Sequence, residues 1–119
     1  MDQRFGKALR LRSGRQFTTV IHEGSFASDG VLVLYVKRSP EADSLRLGIT
    51  IPKKVGNAVA RNRWKRLIRE AFRTQRERFP VGYDYVVRPK KGALPDFHAI
   101  AASLVRLSGY AVGRERRRG

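Results

Sequence analysis

The chain has 119 residues with 26 Lys or Arg against 10 Asp or Glu, a formal charge of +16 at pH 7 and a pI near 11.5. This length suits one domain with a single core, and the charge imbalance points to a polyanionic partner, nucleic acid ahead of an anionic membrane surface. No apolar run approaches the roughly 18 residues of a membrane span, the first residues lack the apolar segment of a secretory signal, and the lack of cysteine excludes disulfides, thiolate zinc sites and a cysteine nucleophile; the expected setting is cytoplasmic, with no membrane partner.

Residues 1–12 are basic and unpatterned, and read as a flexible arm ordered only by RNA. Ser13 is a cap for a helix from about Gly14 to Glu23, in which Phe17, Val20 and Ile21 share a face and Gly24 supplies the stop. A short strand, Ser25 to Ser28, meets Asp29-Gly30, a two-residue hairpin signal, before a strand over Val31 to Arg38. Alternation there puts Leu32, Leu34 and Val36 on one face and Val33, Tyr35 and Lys37 on the other. After the polar turn Ser39 to Asp43, the residues Leu45, Leu47, Ile49 and Ile51 alternate with Arg46, Gly48 and Thr50. The second set gives an open face on which Tyr35, Lys37 and Arg46 belong together, with Gly48 allowing a close approach of backbone or ligand.

Pro52 ends that strand, and Asn57 is an N-cap for the longest element, a helix running to about Phe79. Its apolar residues, Trp64, Leu67, Ile68, Ala71 and Phe72, follow the i, i+3, i+4, i+7, i+8 spacing of one buried face. Asn62, Arg66, Arg69 and Arg73 fall opposite, with Lys65 and Arg76 at the margin. From Lys53 to Arg78 ten Lys or Arg stand against Glu70 and Glu77. A solvated face normally mixes its signs, here through the i, i+4 pairs Arg66 with Glu70 and Arg73 with Glu77; the remaining excess calls for a polyanion to neutralise it. Pro80 to Gly82 breaks the helix, Tyr83 to Arg88 is a strand, and a basic loop leads to a last helix beginning at Pro95-Asp96, with Phe97, Ile100, Leu104 and Leu107 on its inner face. Residues 113–119, with four Arg, read as a flexible basic tail. The order α-β-β-β-α-β-α predicts an α+β sandwich, a small mixed four-stranded sheet with helices packed on it, as a single domain over 1–119.

The run Lys53-Lys54-x-Gly56-Asn57-Ala58-Val59-x-Arg61-Asn62-Arg63-x-Lys65-Arg66-x-x-Arg69-Glu70 closely resembles the signature of the protein subunit of bacterial ribonuclease P, with its Arg-Asn-Arg core, and the resemblance extends from about Leu9 to Leu107. It implies the same element order and a left-handed crossover from the third strand through the long helix to the fourth, against the usual preference. It also implies a ribonucleoprotein in which the RNA subunit, with Mg2+ bound mainly to it, is the catalyst. The protein would bind that RNA, one protein per RNA, through Lys53, Lys54, Asn57, Arg61, Asn62, Arg63, Lys65, Arg66, Arg69 and Arg73. It would hold the 5′ leader of precursor tRNA in a cleft bearing Phe17, Tyr35, Lys37 and Arg46. Where the family carries a second cleft aromatic one helical turn after Phe17, this chain has Ile21, and Phe26 is a candidate substitute.

A nuclease acting alone needs a convergent acid and base or a carboxylate cluster for metal ions. The carboxylates are scattered, and His22 and His98 stand alone, so neither a catalytic nor a metal residue is assigned. Phe17 serves equally as the anchor of its own helix, and Asn57 equally as a cap. A non-catalytic RNA-binding protein, such as a ribosomal or assembly factor, would need only the charge and the sheet; the long motif is what separates it from a ribonuclease P subunit.

Overall fold

The computed structural model describes residues 10–11 and 13–118. Helix α1 spans Gly14–Glu23, strands β1, β2 and β3 span Ser25–Ser28, Leu32–Arg38 and Leu45–Ile49, helix α2 spans Ala58–Thr74, β4 spans Tyr83–Pro89 and α3 spans Phe97–Arg118. The sheet order is β1-β2-β4-β3. β2 lies antiparallel to both β1 and β4, while β3 runs parallel to β4, so α2 is the crossover between two adjacent parallel strands. This is the α+β architecture the element pattern predicts.

Period-two alternation sorts the sheet residues onto two faces. Leu32, Leu34, Val36, Leu45, Leu47, Tyr83, Tyr85 and Val87 join Trp64, Ile68, Ala71 and Phe72 of α2 and Ile100, Leu104, Leu107 and Ala111 of α3 in the main core. Phe72 stacks on Phe79 at 4.5 Å between centroids, and both meet Tyr85 edge-on. The Tyr85 hydroxyl donates to Pro80 O at 2.6 Å, and burial holds its pKa above the ordinary value. On the opposite face α1 covers only part of the sheet, packing Phe17, Val20 and Ile21 with Leu11, Val86 and Tyr35.

Four details depart from the sequence reading. Helix α2 stops at Thr74, short of Phe79, because side chains take its last carbonyls: Thr74 Oγ1 donates to Glu70 O at 2.9 Å, and Gln75 Nε2 to Ala71 O at 3.1 Å and to Ala101 O at 3.0 Å. A short 3₁₀ turn over Arg76–Arg78 then returns Phe79 to the core. At the hairpin, β2 begins at Leu32 and Gly30 does not take a positive φ. The Asp29 carboxylate closes the turn instead, accepting from Val31 N at 2.8 Å and Leu32 N at 3.0 Å. Burial raises its pKa, but those bonds and the ones from Ser103 and Arg106 outweigh burial and leave it below the usual value.

The third departure is in the arm. Leu11 is buried and its N–H donates to Leu47 O at 3.1 Å, while Arg10 bridges to the same residue of edge strand β3. The rest of the predicted arm lies outside the described residues.

The fourth is the predicted tail. Residues 113–118 are the end of α3, and Gly119 lies outside the described residues. Glu115 holds this end down: its carboxylate is buried and accepts from Ser25 Oγ and Arg38 N, both at 3.0 Å. Arg118 Nη1 donates to Glu23 O at 2.9 Å, and Arg114 to Phe26 O. Glu115→Ala leaves a buried hydroxyl and a strand amide without their acceptor, so chemical denaturation should show a loss of about 1–2 kcal/mol. Glu115→Gln, which keeps one acceptor oxygen, should recover part of it. A free tail would give no loss in either variant.

Candidate nucleic-acid interface

The first surface is the outer face of α2. Asn57 caps the helix by accepting from Ala60 N at 2.9 Å, so its structural role is realised. Trp64, Ile68, Ala71 and Phe72 point inward. Asn62, Arg63 and Arg66 are exposed, and Arg61, Lys65, Arg69 and Arg73 are half-buried along the margins. Arg63 is therefore nearer the centre of the solvent face than Arg61, whose Nε is buried without a hydrogen-bond partner. Lys53 and Lys54 lie exposed in a 3₁₀ turn that leads into the helix.

Among the described residues the acids leave most of this face unneutralised. Glu70 pairs with Arg73, one turn on, instead of with Arg66, and the expected Arg73–Glu77 pair is replaced by this contact. Among the described residues Arg61, Arg63, Lys65, Arg66 and Arg69 have no carboxylate partner. Burial, and after it the like charge of Arg10, holds the Arg69 pKa below its ordinary value. A desolvated cation beside another cation is poised for an anion supplied from outside.

The second surface is the part of the sheet that α1 leaves open. Strand pairing sets Phe26 opposite Tyr35 and Tyr35 opposite Val86, which in turn faces Gly48. The Phe26 and Tyr35 ring centroids are 6.0 Å apart, and the Arg88 guanidinium lies 5.6 Å over the Tyr35 ring. Phe26 is 53% exposed, so it supplies an aromatic surface beside Tyr35 where Ile21 does not. Phe17 is half-buried and its ring occupies the space over Gly48, where a Cβ would come within 2.7 Å of it. The close approach at Gly48 is thus made by Phe17, which anchors α1 on the sheet.

Two cations of the cleft are already paired. Arg46 binds Asp84 in a two-pronged contact, both bonds 2.9 Å, which raises its pKa, and Lys37 lies 3.7 Å from Glu23. Arg88 is the exposed cation next to Tyr35, and alternation along β4 from Asp84 through Val86 was the signal that could have placed it there. At the β3 and β4 exit the face opens into a groove of about 560 Å³ lined by Lys54, Arg88, Lys90 and Lys91 among apolar neighbours.

This arrangement has the charge and the ring faces to meet a polyanion and stack bases. His22 and His98 are exposed, and among the described residues no three His, Asp or Glu gather as a metal-ligand set. No helix among those residues is long and apolar enough to cross a membrane.

Comparisons with known proteins agree over most of the chain. The family model described as Ribonuclease P matches residues 5–112. The chain is 38% identical over 105 residues to a ribonuclease P protein component of Petrotoga mobilis, covering 87% of each. The RNase P protein from Thermotoga maritima superposes with a TM-score of 0.76 at 33% identity, covering 85% of this chain and 96% of that one. For the Staphylococcus aureus RNase P protein the TM-score is 0.77 at 32% identity, with 88% and 96% covered.

Proposed function

Because the chain belongs to the bacterial ribonuclease P protein family, we propose that it binds the RNA subunit through the outer face of α2 and the 5′ leader of precursor tRNA through the open sheet face. As such a component it is part of an endoribonuclease holoenzyme that processes tRNA with an RNA subunit. The observation that carries the reading is the coincidence of the Arg61-Asn62-Arg63 signature and the downstream Lys65, Arg66 and Arg69 with a face of α2 on which, among the described residues, these cations have no carboxylate partner.

In this reading the RNA subunit is the catalyst and holds the magnesium ions. The protein contributes charge and position: Lys53, Lys54, Arg61, Arg63, Lys65, Arg66 and Arg69 neutralise phosphates that would otherwise need more metal ion. Asn57, already a cap, and Arg73, already paired, act mainly by shaping α2. On the other face Tyr35 and Phe26 offer ring faces and Arg88 a cation, the combination that holds single strands with little sequence preference. Lys37 and Arg46 keep their carboxylates and set the floor of the cleft.

The test is cleavage of precursor tRNA at its mature 5′ end. The nuclease-clean protein should be inactive without RNA, and added to ribonuclease P RNA it should lower the magnesium needed for cleavage. Correct cleavage by the protein alone would overturn the proposal.

A further inference from the structure

The open face does not end at β2. Between α1 and the end of β2 lies a groove of about 580 Å³, and around the end of the sheet lies a second of about 340 Å³. Arg38, Ser39 and Pro40 line both, so the two grooves adjoin at the sheet rim, one on the open face and the other on the α3 side. The far wall is Tyr83 and Arg116. This rim lies at the start of β4, opposite the end where Lys54, Arg88, Lys90 and Lys91 stand.

The rim gathers two guanidiniums about one aromatic ring. Arg38 and Arg116 lie 5.6 Å and 6.0 Å from the centroid of the same Tyr83 ring, and Arg116 Nε donates to the Tyr83 hydroxyl at 3.1 Å. Tyr83 is buried, so it backs the arginines and is not itself a stacking platform. Both arginines are exposed, and among the described residues neither side chain is paired with a carboxylate. Glu115, next in sequence to Arg116, is turned away to Ser25 and the Arg38 amide, and Glu41 and Asp43 on the adjoining turn bond neither arginine. Two cations fixed on one ring without an acid repel each other, and a phosphate between them removes that cost.

We infer that Arg38 and Arg116 form a second phosphate-binding station for the single-stranded leader, taking a backbone phosphate of nucleotides 5′ of those on Tyr35. The inference rests on the leader reading above. Along β2 the distance from Tyr35 to Arg38 is three residues, roughly 10 Å, so the rim is reached only by leaders that outrun the aromatic platform. A leader entering at the Lys53–Lys54 end, beside the RNA-binding face of α2, points its 5′ end at the rim.

The experiment uses holoenzyme reconstituted with ribonuclease P RNA and a series of precursor tRNAs with leaders of increasing length, together with mature tRNA. Arg38→Gln with Arg116→Gln should leave mature tRNA and short-leader affinities at wild-type values and lower long-leader affinity about three- to tenfold, with a salt slope flatter by roughly 0.7 per lost contact. Arg38→Lys with Arg116→Lys, which keeps both charges, should restore most of the long-leader affinity. Equal losses on every substrate, or none on any, would overturn the inference. Tyr35→Ala run in parallel separates the two readings. If it weakens leader-bearing substrates while the arginine pair has no length dependence, the rim station alone fails; if neither variant responds to the leader, the cleft reading fails with it.

Discussion

Arg66→Ala together with Arg69→Ala should weaken association with ribonuclease P RNA on the order of 100-fold, taking two charge-assisted contacts at about 1.5 kcal/mol each. The slope of log affinity against log salt should flatten by roughly 1.4 to 1.8, which is 0.7 to 0.9 for each phosphate released. Neither residue belongs to the buried Trp64, Ile68, Ala71 and Phe72 stripe, and alanine is a good helix former, so the melting curve should not move down. Removing Arg69 also relieves its repulsion with Arg10, which works in the same direction. Arg73 is the internal control, since its charge is already met by Glu70, and Arg73→Ala should change the salt slope less than either of the other two. A binding titration across a salt series that gives parallel lines for wild type and the double variant would reduce these cations to a solvated face.

What the sequence makes legible follows from the range of the interactions involved. The buried stripe of α2, the Ser13 and Asn57 caps and the sorting of Tyr35 from Leu34 depend on neighbours a few residues away, and the periodicities of helix and strand expose them directly. The Arg46–Asp84 pair depends on parallel pairing of β3 with β4, residues 38 apart in sequence, and no local pattern shows it. Consequently Arg46 reads as a free cation of the cleft when it is a neutralised one. The end of α3 misleads for a related reason. Its four arginines give the composition of a mobile tail, while the residue that fixes it, Glu115, finds its partners 90 and 77 positions upstream. The sequence-local guess for the acids of α2 fails on a smaller scale, because Glu70 is within reach of both Arg66 and Arg73 and the side-chain geometry selects Arg73.

Tyr35→Ala should cost the holoenzyme about 1–3 kcal/mol in affinity for precursor tRNA, the range measured for loss of one base-stacking platform. Tyr35 is half-buried between Phe26 and Arg88, with one side against the small cluster of Leu11, Val20 and Val86. That placement gives stacking and packing different outcomes, and mature tRNA distinguishes them because it has no leader. A stacking role leaves mature tRNA affinity unchanged, and Tyr35→Phe, which keeps the ring face, should bind precursor tRNA close to wild type. A packing role instead lowers the melting temperature of Tyr35→Ala and weakens both tRNAs together through a loosened α1. Phe26 gives a second check: it is the cross-strand neighbour of Tyr35 and more exposed, so Phe26→Ala should add to the leader-specific loss while disturbing stability little. Affinities for both tRNAs measured beside a melting curve for the three variants decide the matter, and equal losses on precursor and mature tRNA would remove Tyr35 from the leader site.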